Sequence, residues 1–210
     1  MDKITKITNV LDRMYPDAYC ELNFSNELEL LIAVMLSAQT TDVSVNKLTK
    51  TLFKKYKCLD DYIAAKQSEL EQDIKSIGLY KNKSKNVKAL TKMLLDDFDG
   101  KVPQNRTDLE KLPGVGRKTA NVVLSTAFNY PAIAVDTHVE RVSKRLKLAY
   151  KNDSVLQVEQ KLMRKFPKDK WSKLHHQLIF FGRYHCKAKN PECDGCLLIR
   201  ECRYPNIDDY

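Results

Sequence analysis

Four cysteines fall within residues 186–202 of a 210-residue chain: Cys186, Cys193, Cys196 and Cys202, spaced C-x6-C-x2-C-x5-C. Cys20 and Cys58 stand apart and read as buried or idle thiols. The quartet has metal-site spacing, which limits the end of the chain to a loop wrapped around whatever the sulfurs hold. Two disulfides fit poorly. The first residues, Met1 to Leu11, alternate charged and apolar side chains rather than forming an apolar signal segment, and a chain with 43% hydrophobic residues can build a core without staples. Structural zinc prefers two short chelating pairs. Cys193 and Cys196 make one, but six residues separate Cys186 from it and five separate Cys202. An iron–sulfur cube needs four thiolates on a loop with turns between them, and Pro191 and Gly195 supply turns. Arg183, Lys187, Lys189, Arg200 and Arg203 are at hand to offset the negative charge of such a group. The cube suits the spacing best, and zinc stays open.

The formal net charge is +9, which points to a polyanionic partner, although many basic proteins bind no nucleic acid. The longest apolar stretch, Leu28 to Leu36, contains Glu29 and is too short to span a membrane. No internal repeat or low-complexity tract interrupts the chain.

Apolar residues recur at helical spacing almost throughout, and about ten short helices are expected. Leu28, Leu31, Ile32, Met35 and Leu36 form one such stripe, and Val87, Leu90, Leu94 and Leu95 another, with Leu79 about a turn ahead. Capping signatures begin at Ser68, Thr107 and Thr137, each with glutamate three residues on, and Asp42 is a further candidate cap. Ala132 to Val135 is the one β-like stretch. The fold class is all-α.

Leu112-Pro113-Gly114-Val115-Gly116 lies between the helix begun near Thr107 and a second running from Arg117 to about Phe128. Proline stops the first helix, and the two glycines allow backbone angles that other residues avoid. The result is a tight hairpin whose amides head a helix and can hold a phosphate without reading a base. A nucleotide P-loop would need glycine before the lysine, where Arg117 stands, and a preceding strand. Lys118 falls in the first turn, where the helix dipole and Arg117 both repel a cation. That favours the neutral amine, which is the form a nucleophilic lysine uses. A plainer role is phosphate binding. Asp136 ends an apolar stretch and begins a helix, so its plainest role is a cap.

Together these pieces resemble the helix-hairpin-helix DNA glycosylases that carry an iron–sulfur cluster. The similarity runs through Glu21-Leu22-Asn23-Phe24, Leu36-Ser37-Ala38-Gln39, Thr41 to Asn46, Ile77-Gly78-Leu79-Tyr80, Leu112 to Val123, Ala134 to His138, Gly182-Arg183-Tyr184 and the cysteine quartet. The resemblance implies the helix-hairpin-helix glycosylase fold with two helical domains and a DNA-binding cleft. One is a helical barrel of residues 21–130, with the hairpin motif at about 107–128. The other is a discontinuous cluster domain of residues 1–20 and 131–210. It implies base excision repair: removal of oxidised pyrimidines from duplex DNA, then cleavage 3′ to the lesion through a lysine Schiff base. The catalytic residues implied are Lys118 and Asp136. DNA-binding positions fall on Gln39, Leu79, Leu112, Gly114, Val115, Gly116, His138, Lys187 and Lys189. Gln39 fills the gap left by a flipped base and Leu79 wedges into the stack, although core packing is the plain alternative for Leu79. Cys186, Cys193, Cys196 and Cys202 hold one 4Fe-4S cluster. The implied protein is a cytoplasmic, nucleoid-associated monomer with double-stranded DNA as its partner and no membrane role. Glu192 departs from the family's basic cluster loop and weakens the case for phosphate contacts there.

Overall fold

The structure is a computed structural model and describes residues 2–204; the terminal residues of the implied cluster domain, 1 and 205–210, lie outside it. The all-α expectation holds. Eleven α-helices follow one another among the described residues: α1 (Lys3–Met14), α2 (Glu27–Leu36), α3 (Asp42–Lys55), α4 (Leu59–Ala64), α5 (Gln67–Ile74), α6 (Tyr80–Asp97), α7 (Arg106–Leu109), α8 (Arg117–Ala127), α9 (Thr137–Arg145), α10 (Val155–Lys165) and α11 (Trp171–Phe180). A π-helical turn, Phe181–His185, extends α11, and a short 3-10 turn covers Ile199–Glu201. No helix among the described residues is long and apolar enough to cross a membrane.

The chain divides into two compact units, Glu21–Asn129 and Met1–Cys20 with Tyr130–Tyr210. In the first, α2 is the central helix. Every residue from Leu30 to Leu36 is buried, so it is apolar on all sides and packs against α8, α3 and α6. In the second, α1 belongs to the C-terminal helices because its apolar stripe has nowhere else to go. Ile7 and Leu11 are fully buried with Val139, Leu162, Leu178 and Phe181. Gln177 adds polar ties from α11, donating to Asp12 at 2.9 Å and to the Tyr15 carbonyl at 3.2 Å.

Several local expectations shift. Asn105, not Thr107, caps α7, accepting from the Asp108 amide. Thr41 caps α3 with Asp42 as its first residue, and α5 begins at Gln67 ahead of Ser68. The cap of α9 is Asp136 rather than Thr137. At α3, α7 and α9 the residue one or two places earlier reaches the orphan amide first, whereas Lys66 at the start of α5 makes no side-chain cap bond. Ala132 to Val135 is buried but forms no strand. It has no neighbouring strand to pair with and runs as an extended connection through the core. Leu95 is exposed, off the buried face of Val87, Leu90 and Leu94.

The hairpin separates the two glycines. Gly114 has φ +79°, and a Cβ there would lie 2.8 Å from Asn86 Nδ2 and 3.0 Å from Met35 Sδ. Gly116 has φ −98° and ψ 178°, ordinary extended backbone with open space around the missing Cβ. Only Gly114 therefore needs glycine for its conformation. Gly114→Ala is expected to lower unfolding free energy by roughly 2–4 kcal/mol, from left-handed strain and overpacking. Gly116→Ala should cost about 1 kcal/mol or less. Urea unfolding of both variants checks this, and equal losses would contradict it.

Candidate functional site

The hairpin places its residues for different tasks. Leu112 and Val115 are buried, at 2% and 6% exposure, so their side chains anchor the turn and only their backbone can face a partner. The Val115 amide closes the turn on the Leu112 carbonyl at 3.0 Å. Gly116 is the N-cap of α8 and has no side chain to cap its first turn. Amides of such a turn attract an anion. Lys118 projects from this turn and is exposed.

Two further turns in the same unit carry the residues implied for a flipped base. Gln39 has φ 54° and Leu79 has φ 59°, both left-handed and neither glycine. Such backbone costs about 1–3 kcal/mol and tends to persist at working sites. Leu79 is 53% exposed at the N-cap of α6, which removes core packing as its role. Gln39 is also exposed. Between the turns lies a residue that sequence reasoning missed. Lys83 is 5% exposed, and its Nζ donates to Thr40 Oγ1 at 2.8 Å. Burial pushes its pKa down.

In the other unit, Asp136 caps α9. Its Oδ1 accepts from the Val139 amide at 2.8 Å, while the residue stays partly exposed. Capping occupies one carboxylate oxygen and leaves the second for other work. His138 sits one residue into the helix, with Nδ1 3.3 Å from Arg141 Nη2. Arg141 also donates to the Gly182 carbonyl at 2.7 Å and to the Cys186 carbonyl at 3.2 Å.

The four cysteines line one cavity, together with Leu146, Phe181, Ile199 and Tyr204. The π turn delivers the first of them: the Cys186 amide donates to Phe181 O at 2.6 Å, a five-residue step that tips the chain out of α11. Gly195, at φ 74°, turns the chain between Cys193 and Cys196. Burial pushes the thiols of Cys196 and Cys202 up, so an apolar site waits for a cation to favour the thiolates. A single ion would draw its sulfurs to within about 3.8 Å of one another, from a Zn–S distance of about 2.3 Å. Among the described residues no group of three His, Cys, Asp or Glu side chains is placed to hold a single metal ion.

The cation deepest in this site is not one of the five in the loop. Arg145, from α9, is buried and donates to Cys186 Sγ at 3.3 Å, to Lys187 O at 2.7 Å and to Ala188 O at 3.1 Å. Its guanidinium lies 3.9 Å from the centre of the Tyr204 ring. The sequence carried one faint signal, two arginines four apart on an amphipathic helix. Within the loop, Lys187 is paired with Glu192 at 2.7 Å, and that bond holds the Glu192 carboxyl below its usual range. Lys187 is therefore committed inside the loop, whereas Lys189 is exposed.

Residues 32–168 match the model of the HhH-GPD superfamily base excision DNA repair protein. The chain is 63% identical over 190 residues to endonuclease III of Bacillus subtilis strain 168, covering 90% of this chain and 87% of that one. It is similar over its whole length to the structure of a trapped endonuclease III–DNA covalent intermediate, an estranged-adenine complex. The TM-score is 0.94 at 56% identity, with 100% of each chain covered. A non-covalent endonuclease III–DNA complex matches with a TM-score of 0.95 at 57% identity, covering 100% of this chain and 99% of that one.

Proposed function

Because the chain belongs to the HhH-GPD superfamily of base excision DNA repair proteins, in its endonuclease III branch, and is a DNA glycosylase and abasic-site lyase, we propose that Lys118 is its nucleophile and Asp136 its electrostatic partner. One observation carries this reading. Lys118 stands exposed directly after the Leu112–Gly116 hairpin, in a chain that matches throughout a protein trapped covalently on DNA.

The substrate is duplex DNA with an oxidised pyrimidine or an abasic site. The hairpin amides take a backbone phosphate and fix the strand's register. Leu79 wedges into the stack and Gln39 fills the space left when the damaged nucleotide turns out. The neutral amine of Lys118 attacks C1′. The glycosidic bond breaks, and the base leaves with the bonding pair and takes up a proton. The C1′–O4′ bond then breaks as the C=N bond forms, and the amine's remaining proton passes to O4′, which opens the sugar and gives the imine. Removal of a proton from C2′ then expels the 3′ phosphate, and water releases the lysine. Asp136 faces the positive charge that develops on the sugar. A carboxylate fixed by its capping bond needs no reorganisation to do so. His138 and Lys189 add backbone contacts, and Lys187 contributes less while Glu192 holds it. The two compact units serve as the helical barrel and the cluster domain.

Cys186, Cys193, Cys196 and Cys202 are the residues that would hold a 4Fe-4S cluster, and the shared apolar cavity with a buried guanidinium fits that group. When bound, it supplies a four-point crosslink that folds the loop.

Two measurements test these assignments. Single-turnover assays on a thymine-glycol duplex should show Lys118→Gln without strand cleavage but still bound to DNA. Asp136→Asn should turn over about 10²–10³-fold more slowly, yet keep its cap and unfold within about 1 kcal/mol of wild type. Normal turnover with lost stability would leave Asp136 as a cap alone. Metal analysis of anaerobically purified protein should find about four irons per chain, and one zinc per chain would overturn the cluster.

A further inference from the structure

We propose that Lys83 is a positioning residue that locks the Gln39–Thr40 turn to the Leu79 turn, so that both inserting side chains enter the duplex as one piece. The inference rests on reading Gln39 and Leu79 as the base-flipping pair. Gln39 at φ 54° and Leu79 at φ 59° are held in left-handed backbone. A strained turn at a surface relaxes unless something over-determines it. Lys83 adds a contact at each turn, beside the Thr40 amide's own bond to the Ser37 carbonyl at 3.1 Å. Its backbone amide donates to the Leu79 carbonyl at 2.9 Å, closing the first turn of α6 on the Leu79 cap. Its ammonium donates to Thr40 Oγ1 at 2.8 Å, one residue past Gln39. One residue thus grips both turns, and its bond to Thr40 spans 43 positions of the chain.

The choice of lysine is informative. Lys83 is 5% exposed, yet among the described residues no carboxylate stands within ion-pair distance of it. A buried ammonium without a counter-charge is costly, and a neutral side chain would serve a purely architectural brace better. An ammonium has three donors, and Thr40 takes one.

The mechanism separates two activities. Removing a base requires extruding it from the stack, whereas a preformed abasic sugar has no base to extrude. Lys83→Met keeps the stem and removes the ammonium. Its single-turnover excision of thymine glycol should fall by about tenfold or more, while cleavage of a preformed abasic duplex stays within about threefold of wild type. Its thermal midpoint should not fall, because a desolvated charge has been removed. Thr40→Val deletes the partner, keeps the shape and should show the same split, so it carries the test if the methionine variant does not fold. Unchanged excision in both variants, equal loss of both activities, or loss that tracks a lower midpoint would overturn the proposal. Wild-type protein that cleaved neither substrate would instead overturn the functional reading beneath it.

Discussion

The buried guanidinium of Arg145 ties α9 to the loop that carries the cysteines. A desolvated charge survives only where its donors find acceptors. Arg145 finds them in Cys186 Sγ and in the carbonyls of Lys187 and Ala188, all in the loop that carries the cysteines. Four residues earlier, Arg141 reaches the Gly182 and Cys186 carbonyls. One face of α9 is thereby stapled to the end of α11 and to the first cysteine. The same helix starts at Asp136, whose carboxylate is fixed by the Val139 amide. A short helix thus connects the proposed charge stabiliser at one end with the proposed cluster loop at the other. Loosening the loop would move the helix that positions the carboxylate.

The Glu21–Asn129 unit uses a different device. Its candidate contacts sit on three tight turns, at Gln39, Leu79 and Gly114, each with positive φ. The apolar interior beneath them explains how such backbone is tolerated. α2 is buried along Leu30–Leu36, and its Met35 together with Asn86 of α6 crowds the back of Gly114. The hairpin is held by close approach to the core, and its outer face at Gly116 is left open. Rigid support behind and open space in front suit a surface that must meet a phosphate backbone without rearranging.

Features carried by near neighbours in sequence were legible. The cysteine spacing predicted one shared site, and the four thiols line one cavity. Proline and glycine marked the hairpin, and helical periodicity gave the fold class. Errors arose where two neighbouring side chains could do the same job, as with Thr107 and Asn105 or Thr137 and Asp136. Local pattern does not say which of the two the chain reversal brings to the amide. The β-like Ala132 to Val135 failed because strand character depends on a partner that the sequence does not show. Lys83 was invisible, and Arg145 only faintly marked by its spacing from Arg141, for a related reason. Each looks like an ordinary surface cation, and its importance comes from burial against residues about 40 positions away.

The amine that joins the DNA identifies the nucleophile. Wild-type protein should be reduced with borohydride on a thymine-glycol duplex, the adduct digested, and the modified peptide sequenced by mass spectrometry. A lysine that attacks C1′ makes an imine, and reduction fixes it permanently to the sugar. The account predicts a single adduct, on Lys118, and none formed by Lys118→Gln. An adduct on any other amine, or equal trapping by the Lys118→Gln variant, would contradict it.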